Sequence, residues 1–290
     1  MFGAIPFPQI DPVIVQIGPL ALRWYALAYV VGIGLGWLLI AAALRRTRLW
    51  LNDTPPMAPA KLEDLATYIV LGVIGGGRLG YVLFYRPGHY LQNPLEIPMI
   101  WTGGLSFHGG FLGVVFAVWL FSRRHAVSLP ALSDIIALAA TPAVLLVRIA
   151  NFINAELWGR PTDVPWGVIF PGVAAQDCPG ITGACARHPS QLYEAGLEGL
   201  LLGLILLVLA FRFGALKRGW LITGVFFLGY GVSRFVVEFV RQPDDFFQTP
   251  DNPLGWRLDF GEWGLTMGQI LSTPMILVGL ALVFVALRKR

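Results

Sequence analysis

Charge is what this sequence has least of. Asp, Glu, Lys and Arg make up 13% of its 290 residues, against 56% hydrophobic ones, where a soluble domain carries roughly 25% charged residues. The apolar residues also come in runs long enough to cross a bilayer. That excludes ordinary water-soluble domains and points to an all-α polytopic membrane protein. Cysteine is scarce as well. Two residues, Cys178 and Cys185, cannot build a disulfide-rich scaffold. No His/Cys/Asp cluster has metal-ligand spacing, so no metal centre is expected. No G-x-S-x-G elbow accompanies the neighbouring Ser106 and His108, which removes the usual serine-hydrolase arrangement. Residues 1–16 lack a basic n-region and are broken by Pro6, Pro8 and Pro12, so no cleavable signal peptide is expected there. Low-complexity tracts and internal repeats, direct or inverted, are missing too.

Seven spans are predicted, at 18–43, 64–85, 106–122, 131–154, 190–212, 219–240 and 264–287, behind an amphipathic N-terminal arm at 1–17. Together they form a single membrane domain over 1–290. The strong basic clusters fall on one side of these spans. They are Arg45, Arg46, Arg48 and Lys61; Arg123 and Arg124; Arg212, Lys217 and Arg218; and Arg288, Lys289 and Arg290. Loops rich in Lys and Arg stay in the cytoplasm, so the N-terminus is expected outside and the C-terminus inside. The net charge of +4 reflects these loops and implies no nucleic-acid partner. The other side receives the longer segments 86–105, 155–189 and 241–263, rich in Pro, Gly, Trp and acidic residues, as suits an ordered extracytoplasmic head. Trp101, Trp158, Trp166, Trp256 and Trp263 there fit an interfacial belt, by lipid anchoring rather than substrate stacking. In CPGITGAC, Cys178 and Cys185 could close a small disulfide in an oxidising compartment, or stand as two structural thiols.

Two cations stand out against this background. Arg148 in TPAVLLVRIANFINAELWGR and Arg234 in FFLGYGVSRFVVEFVRQPD lie inside or at the edge of predicted spans. A charge at the bilayer centre costs at least about 2.5–3.5 kcal/mol, so something must offset it. Asn151 and Asn154 follow Arg148 at a spacing of three, with Glu156 and Arg160 at the exit. Tyr230, Arg234 and Glu238 share a helix face at i, i+4 and i+8. Each set could be an internal packing network or a simple ion pair. The other reading is a cavity for an anion, because the planar guanidinium fork suits phosphate. In a bilayer the natural anion is a phospholipid headgroup.

GLSFHGG sets His108 among Gly103, Gly104, Gly109 and Gly110 at the outer end of the third span. Small residues let helices approach closely. A lone histidine is commonly a satisfied polar contact, but one crowded toward the arginine region suits a general base near neutral pH. Arg78 after the glycines of GVIGGGRLGY, Tyr25 and Tyr29 one turn apart, and His188, Glu194 and Glu198 at the fifth span are weak signals singly. Their recurrence near the outer ends of several spans is harder to dismiss.

DPVIVQIGPLALRWY, GGRLGYVLFY, GGLSFHGG, RIANFINAELWGRP, RHPSQLYE, YGVSRFVVEFVRQPD and LTMGQILSTPM occur in this order over nearly the whole chain. In these stretches the sequence resembles the bacterial prolipoprotein diacylglyceryl transferases. The resemblance implies a seven-helix protein of the bacterial inner membrane with a periplasmic head, an N-terminal arm and an active site toward the periplasm. It implies transfer of the diacylglyceryl group of phosphatidylglycerol to the lipobox cysteine of a prolipoprotein signal peptide. The products are a thioether and glycerol 1-phosphate, in the first step of lipoprotein maturation, with no cofactor. The family's functional residues fall on Tyr25, His108, Arg148, Asn151, Glu156, Arg234 and Glu238, with Tyr230 and Gly159 in matching motifs. One departure is visible. The family's G-R-x-G-N-F-I-N reads here with Val147 and Ala150 in place of two glycines, which bears on helix packing. The cysteine loop is not explained by the resemblance.

On this reading the nucleophile is the substrate's thiol, which must ionise to attack. His108 takes its proton. Arg148 and Arg234 bind the phosphodiester and stabilise the charge that grows on the leaving group. Asn151 and Tyr25 position the headgroup, Glu156 and Glu238 orient the arginines, and Arg78 supports. An arginine-assisted thiolate, with His108 structural, is the alternative. A lipid transporter would show paired inverted repeats, an intramembrane protease or acyltransferase a nucleophile motif, and a passive lipid-binding scaffold would leave His108 without a role.

Overall fold

The computed structural model describes residues 4–178, 180–181, 183–243, 247–249 and 251–288. Several sequence features lie outside the described residues: Met1 to Gly3 of the arm, Pro179 and Thr182 of the cysteine loop, Asp244 at the end of the Arg234 motif, and Lys289 and Arg290.

The long helices are α1 (Trp24–Arg45), α2 (Leu62–Phe84), α3 (Phe107–His125), α4 (Leu129–Ile153), α5 (Ser190–Phe211), α6 (Leu221–Val237) and α7 (Met267–Arg288). Among the described residues, five helices are long and apolar enough to cross a membrane: α1, Pro59–Phe84 (which includes α2), α4, α5 and α7. Helix α6 is a shorter apolar helix, and α3 ends on Arg123, Arg124 and His125. Val30 and Ile33 on α1 and Leu277 on α7 are all more than half exposed. Apolar faces of that extent are stable against hydrocarbon rather than water. The chain divides into two compact units, residues 1–40 with 136–290, and residues 41–135.

In the first unit, β1 (Ile5–Pro6) precedes a hairpin of β2 (Val13–Ile17) and β3 (Leu20–Arg23). The sequence reading starts the first span at residue 18, and here the structure differs. Ile17 pairs with Leu20 across Gly18 and Pro19, and Gly18 takes φ +59°, a conformation that glycine adopts without strain. Residues 20–23 are therefore strand, and the helix begins only at Trp24, whose indole donates to the Asp11 carbonyl at 3.0 Å. The far end of α6 also departs from the predicted 219–240, stopping at Val237 as the chain turns toward the bridge between Arg241 and Gly159.

The segment after α4 folds into a small head. β1 pairs in parallel with β4 (Val168–Ile169). The ring of Phe7 packs 5.3 Å from Phe152 and 5.4 Å from Phe170. These rings join Val168, Ala175 and Trp158 in one apolar cluster. Beside it lies Arg187, 2% exposed. Its guanidinium donates to the carbonyls of Ala175 (2.5 Å), Gly159 (3.2 Å) and Asp177 (2.9 Å) and lies 4.0 Å over the Trp158 ring. A buried cation is stable only when its donors are met in this way. Cys178 and Cys185 form a disulfide, which settles the two open readings of that loop.

In the second unit, α2 and α3 meet glycine to glycine. A Cβ on Gly109 would lie 2.3 Å from the Gly76 carbonyl oxygen, so only glycine permits this approach. Arg78 is buried and donates to the carbonyls of Glu96, Ile97, Gly103 and Gly104. It folds the segment that leads into Ser106, the N-cap of α3.

Candidate active site

Helices α4 and α5 touch closely because α5 offers glycine at the contact. A Cβ on Gly199 would lie 2.6 Å from the Leu145 Cα. Arg148 follows Leu145 by less than one turn, so this approach lays its guanidinium against α5. Arg148 Nη1 lies 3.0 Å from Glu194 Oε2, and Nη2 lies 3.5 Å from Glu198 Oε2. Arg234 comes from α6. Its Nη1 meets the other oxygen of Glu194, and its Nη2 lies 3.1 Å from Glu238 Oε2. Glu194 and Glu198 are fully buried, while the two arginine side chains keep 18% and 16% exposure. The cations are thus held from behind and open in front.

The helix carrying these carboxylates is locally widened. Ala195–Leu201 is π-helical, a rare form that concentrates at functional sites. It begins directly after Glu194 and contains Glu198. Removing one member of such a buried pair costs about 3–5 kcal/mol, because it leaves the other charge uncompensated. The cluster is therefore held together as a unit.

The other motif residues of this unit gather in two groups. Asn151, 2% exposed, donates from Nδ2 to Glu156 Oε1 at 2.7 Å and, over a longer 3.5 Å, to the Tyr25 hydroxyl. Asn154 also reaches Glu156 Oε1, at 3.4 Å. Glu156 thus holds asparagines where the sequence reading gave it an arginine, and the carboxylates on the arginines are Glu194, Glu198 and Glu238. Ala155 and Leu157 both take positive φ. Gln191 and Ser190 pin this turn by donating to the carbonyls of Glu156 and Leu157 at 2.6 and 2.8 Å. The second group surrounds Glu238, whose Oε1 accepts from Thr266 Oγ1 at 3.0 Å. Tyr230 lies beside Arg148 and Glu198. Gly159 has no room for a side chain: a Cβ would meet the Val240 carbonyl at 2.5 Å and His188 Cβ at 2.7 Å.

His108 and Arg78 belong to the second unit. His108 is exposed in the first turn of α3, edge-on to Phe107. Arg78 serves the fold of its own segment. Ala150, the departure from the family's glycine, is 2% exposed, and the Arg148 ion pairs form alongside it.

Glu194 and Glu198 carry little weight in a motif reading, although a count of charge marks them. Two cations within apolar helices need anions, and these are carboxylates inside the apolar α5. Arg187 and Thr266 lie in the stretches RHPSQLYE and LTMGQILSTPM but are not singled out there as site residues. For Thr266 the T-x-x-Q pattern at the start of α7 is the available signal.

A model of the prolipoprotein diacylglyceryl transferase family matches residues 12–285. The chain is similar to the phosphatidylglycerol–prolipoprotein diacylglyceryl transferase of Ruegeria pomeroyi, 62% identical over 284 residues, 97% of this chain and 96% of the relative. Likenesses of the same kind extend to the proteins of that name from Roseobacter denitrificans, 59% identical over 98% of both chains, and Brucella anthropi, 49% identical over 96% of this chain and 92% of the relative.

Proposed function

The chain belongs to the prolipoprotein diacylglyceryl transferase family, and from that premise we propose that it transfers the diacylglyceryl group of phosphatidylglycerol to the lipobox cysteine of prolipoproteins. The observation that carries this reading is the pair of guanidiniums, Arg148 and Arg234, held on one buried carboxylate, Glu194.

Each guanidinium has five N–H donors, more than the carboxylate oxygens take up. The exposed edges would grip the phosphodiester. The cysteine sulfur attacks the glyceryl carbon bearing the phosphate ester. The S–C bond forms, the C–O bond breaks, and the bonding pair leaves with glycerol 1-phosphate. Negative charge grows on that phosphate, where preoriented cations in a water-poor site stabilise it most. We assign the thiol proton to His108 on the strength of its motif. Asn151, held by Glu156, and Tyr25 orient the headgroup, while Tyr230 and Gly159 complete the lipid site. Glu238 orients Arg234, in keeping with their contact at 3.1 Å. Arg78 supports by folding its segment. The protein would span the bacterial inner membrane with its N-terminus and active site outward, the orientation supported by the one-sided basic clusters.

The test supplies purified protein with phosphatidylglycerol and a lipobox peptide, with a Cys→Ser peptide as control. Thioether product matched one to one by glycerol phosphate, for the cysteine peptide alone, is expected. Folded protein that gives neither product contradicts the reading.

A further inference from the structure

We propose that Thr266 is a positioning residue for this reaction: its hydroxyl fixes the carboxylate of Glu238, and through it the guanidinium of Arg234. The proposal deepens the transferase reading and rests on it.

Helix α7 opens with a reciprocal cap. Gln269 N donates to Thr266 Oγ1 at 3.3 Å, and Thr266 N donates to Gln269 Oε1 at 3.1 Å. This is a capping box, which satisfies two helix N–H groups and sets the Thr266 rotamer. The hydroxyl has one proton, and it goes to Glu238 Oε1 at 3.0 Å. Thr266, Gln269 and Glu238 are 4%, 1% and 5% exposed, so water does not compete for these bonds.

Gly268 supplies the second half of the arrangement. A Cβ there would lie 2.4 Å from Glu238 Cδ and 2.5 Å from each of its oxygens. The carboxylate rests on the first turn of α7, where the N–H groups and the helix dipole favour an anion. Its other oxygen faces Arg234 Nη2 at 3.1 Å and Arg241 Nη1 at 3.9 Å. One carboxylate oxygen is therefore anchored by α7 and the other faces Arg234. A carboxylate held at one oxygen presents the other in a preferred direction, which biases the orientation of the guanidinium paired with it. In the proposed reaction that guanidinium faces the phosphate. The membrane helix α7 thus contributes to the arginine pair through Thr266 and Gly268.

The experiment compares Thr266→Val, Thr266→Ser and Gly268→Ala with the natural protein in the phosphatidylglycerol-to-peptide transfer assay, at equal folded protein by circular dichroism. Thr266→Val removes the proton donor and the cap acceptor, and Thr266→Ser keeps both. Gly268→Ala keeps the hydroxyl and the cap but displaces the carboxylate, which separates positioning from capping. We expect Thr266→Val and Gly268→Ala to lower kcat/KM about tenfold or more, and Thr266→Ser to stay within about twofold. In an Arg234→Lys background, Thr266→Val should add less than about twofold, because residues acting through one another are not additive. Normal kcat/KM in Thr266→Val, or a full multiplicative loss in the Arg234→Lys background, overturns the positioning role alone. A natural protein that makes no thioether overturns the transferase reading and this proposal with it.

Discussion

Arg148 Nη1 lies 3.0 Å from Glu194 Oε2, and the other oxygen of that carboxylate holds Arg234. One buried anion from α5 sets the spacing of two cations from α4 and α6. In the proposed reaction the two non-bridging oxygens of the phosphodiester would each meet one of these guanidiniums. The carboxylates behind the arginines lower the cost of keeping two like charges together among apolar helices.

Lysine keeps the charge of arginine but not its planar fork. Arg148→Lys and Arg234→Lys should each lower kcat/KM for transfer by about 10²–10³, the loss seen when one preoriented donor to a developing anion is removed. Steady-state transfer rates measured against phosphatidylglycerol concentration check this. A variant within threefold of the natural protein would remove that arginine from the reaction.

Glu194 is buried between two cations, whereas Glu156 is exposed and partners neutral asparagines. Glu194→Ala should therefore destabilise the protein by about 3–5 kcal/mol and Glu156→Ala by about 1 kcal/mol. Thermal unfolding of both variants in the same detergent gives the comparison. The reverse ranking would mean that the arginines are balanced by other groups.

Cys178 and Cys185 close a short loop in the head. A loop of that length contributes about 2 kcal/mol by restricting the unfolded chain. Replacing both by Ser should lower Tm while leaving the transfer rate at 25 °C within twofold, read from a melt and an assay on the same sample.

His188 bonds through Nδ1 to the Tyr193 hydroxyl, which accepts from Trp166 Nε1. Burial lowers its pKa from the usual value of 6.5. Above that value the group is neutral whether folded or unfolded and contributes no pH dependence. As pH falls through 6.5, the unfolded chain takes up a proton that the folded head resists, so stability falls. Tm should drop between pH 7.5 and 5.5, and by less in His188→Gln. Equal drops in the two proteins would exclude His188 as the source.

Much of this was legible in the sequence. Long apolar runs place the helices, and the i, i+4 spacing of Arg234 and Glu238 anticipates their 3.1 Å contact. The start of the first helix was not legible, because apolar residues 20–22 read as span until the Gly18–Pro19 turn pairs them as strand. Nor was the partner of Glu156, since helical spacing ends at Ile153 and the positive φ of Ala155 redirects the chain. The role of Glu194 depends on three helices meeting, which no local pattern encodes. Cys178 and Cys185 sat at a spacing compatible with a disulfide, but only the folded loop brings them together.

The central claim is that Arg148 and Arg234 together recognise the lipid phosphate. It is tested most directly by measuring binding of phosphatidylglycerol and of diacylglycerol, which lacks the phosphate, to the natural protein and to Arg234→Lys. Phosphatidylglycerol binding weakened at least about tenfold, with diacylglycerol binding unchanged, is the predicted result. Equal phosphatidylglycerol affinity in both proteins would contradict it.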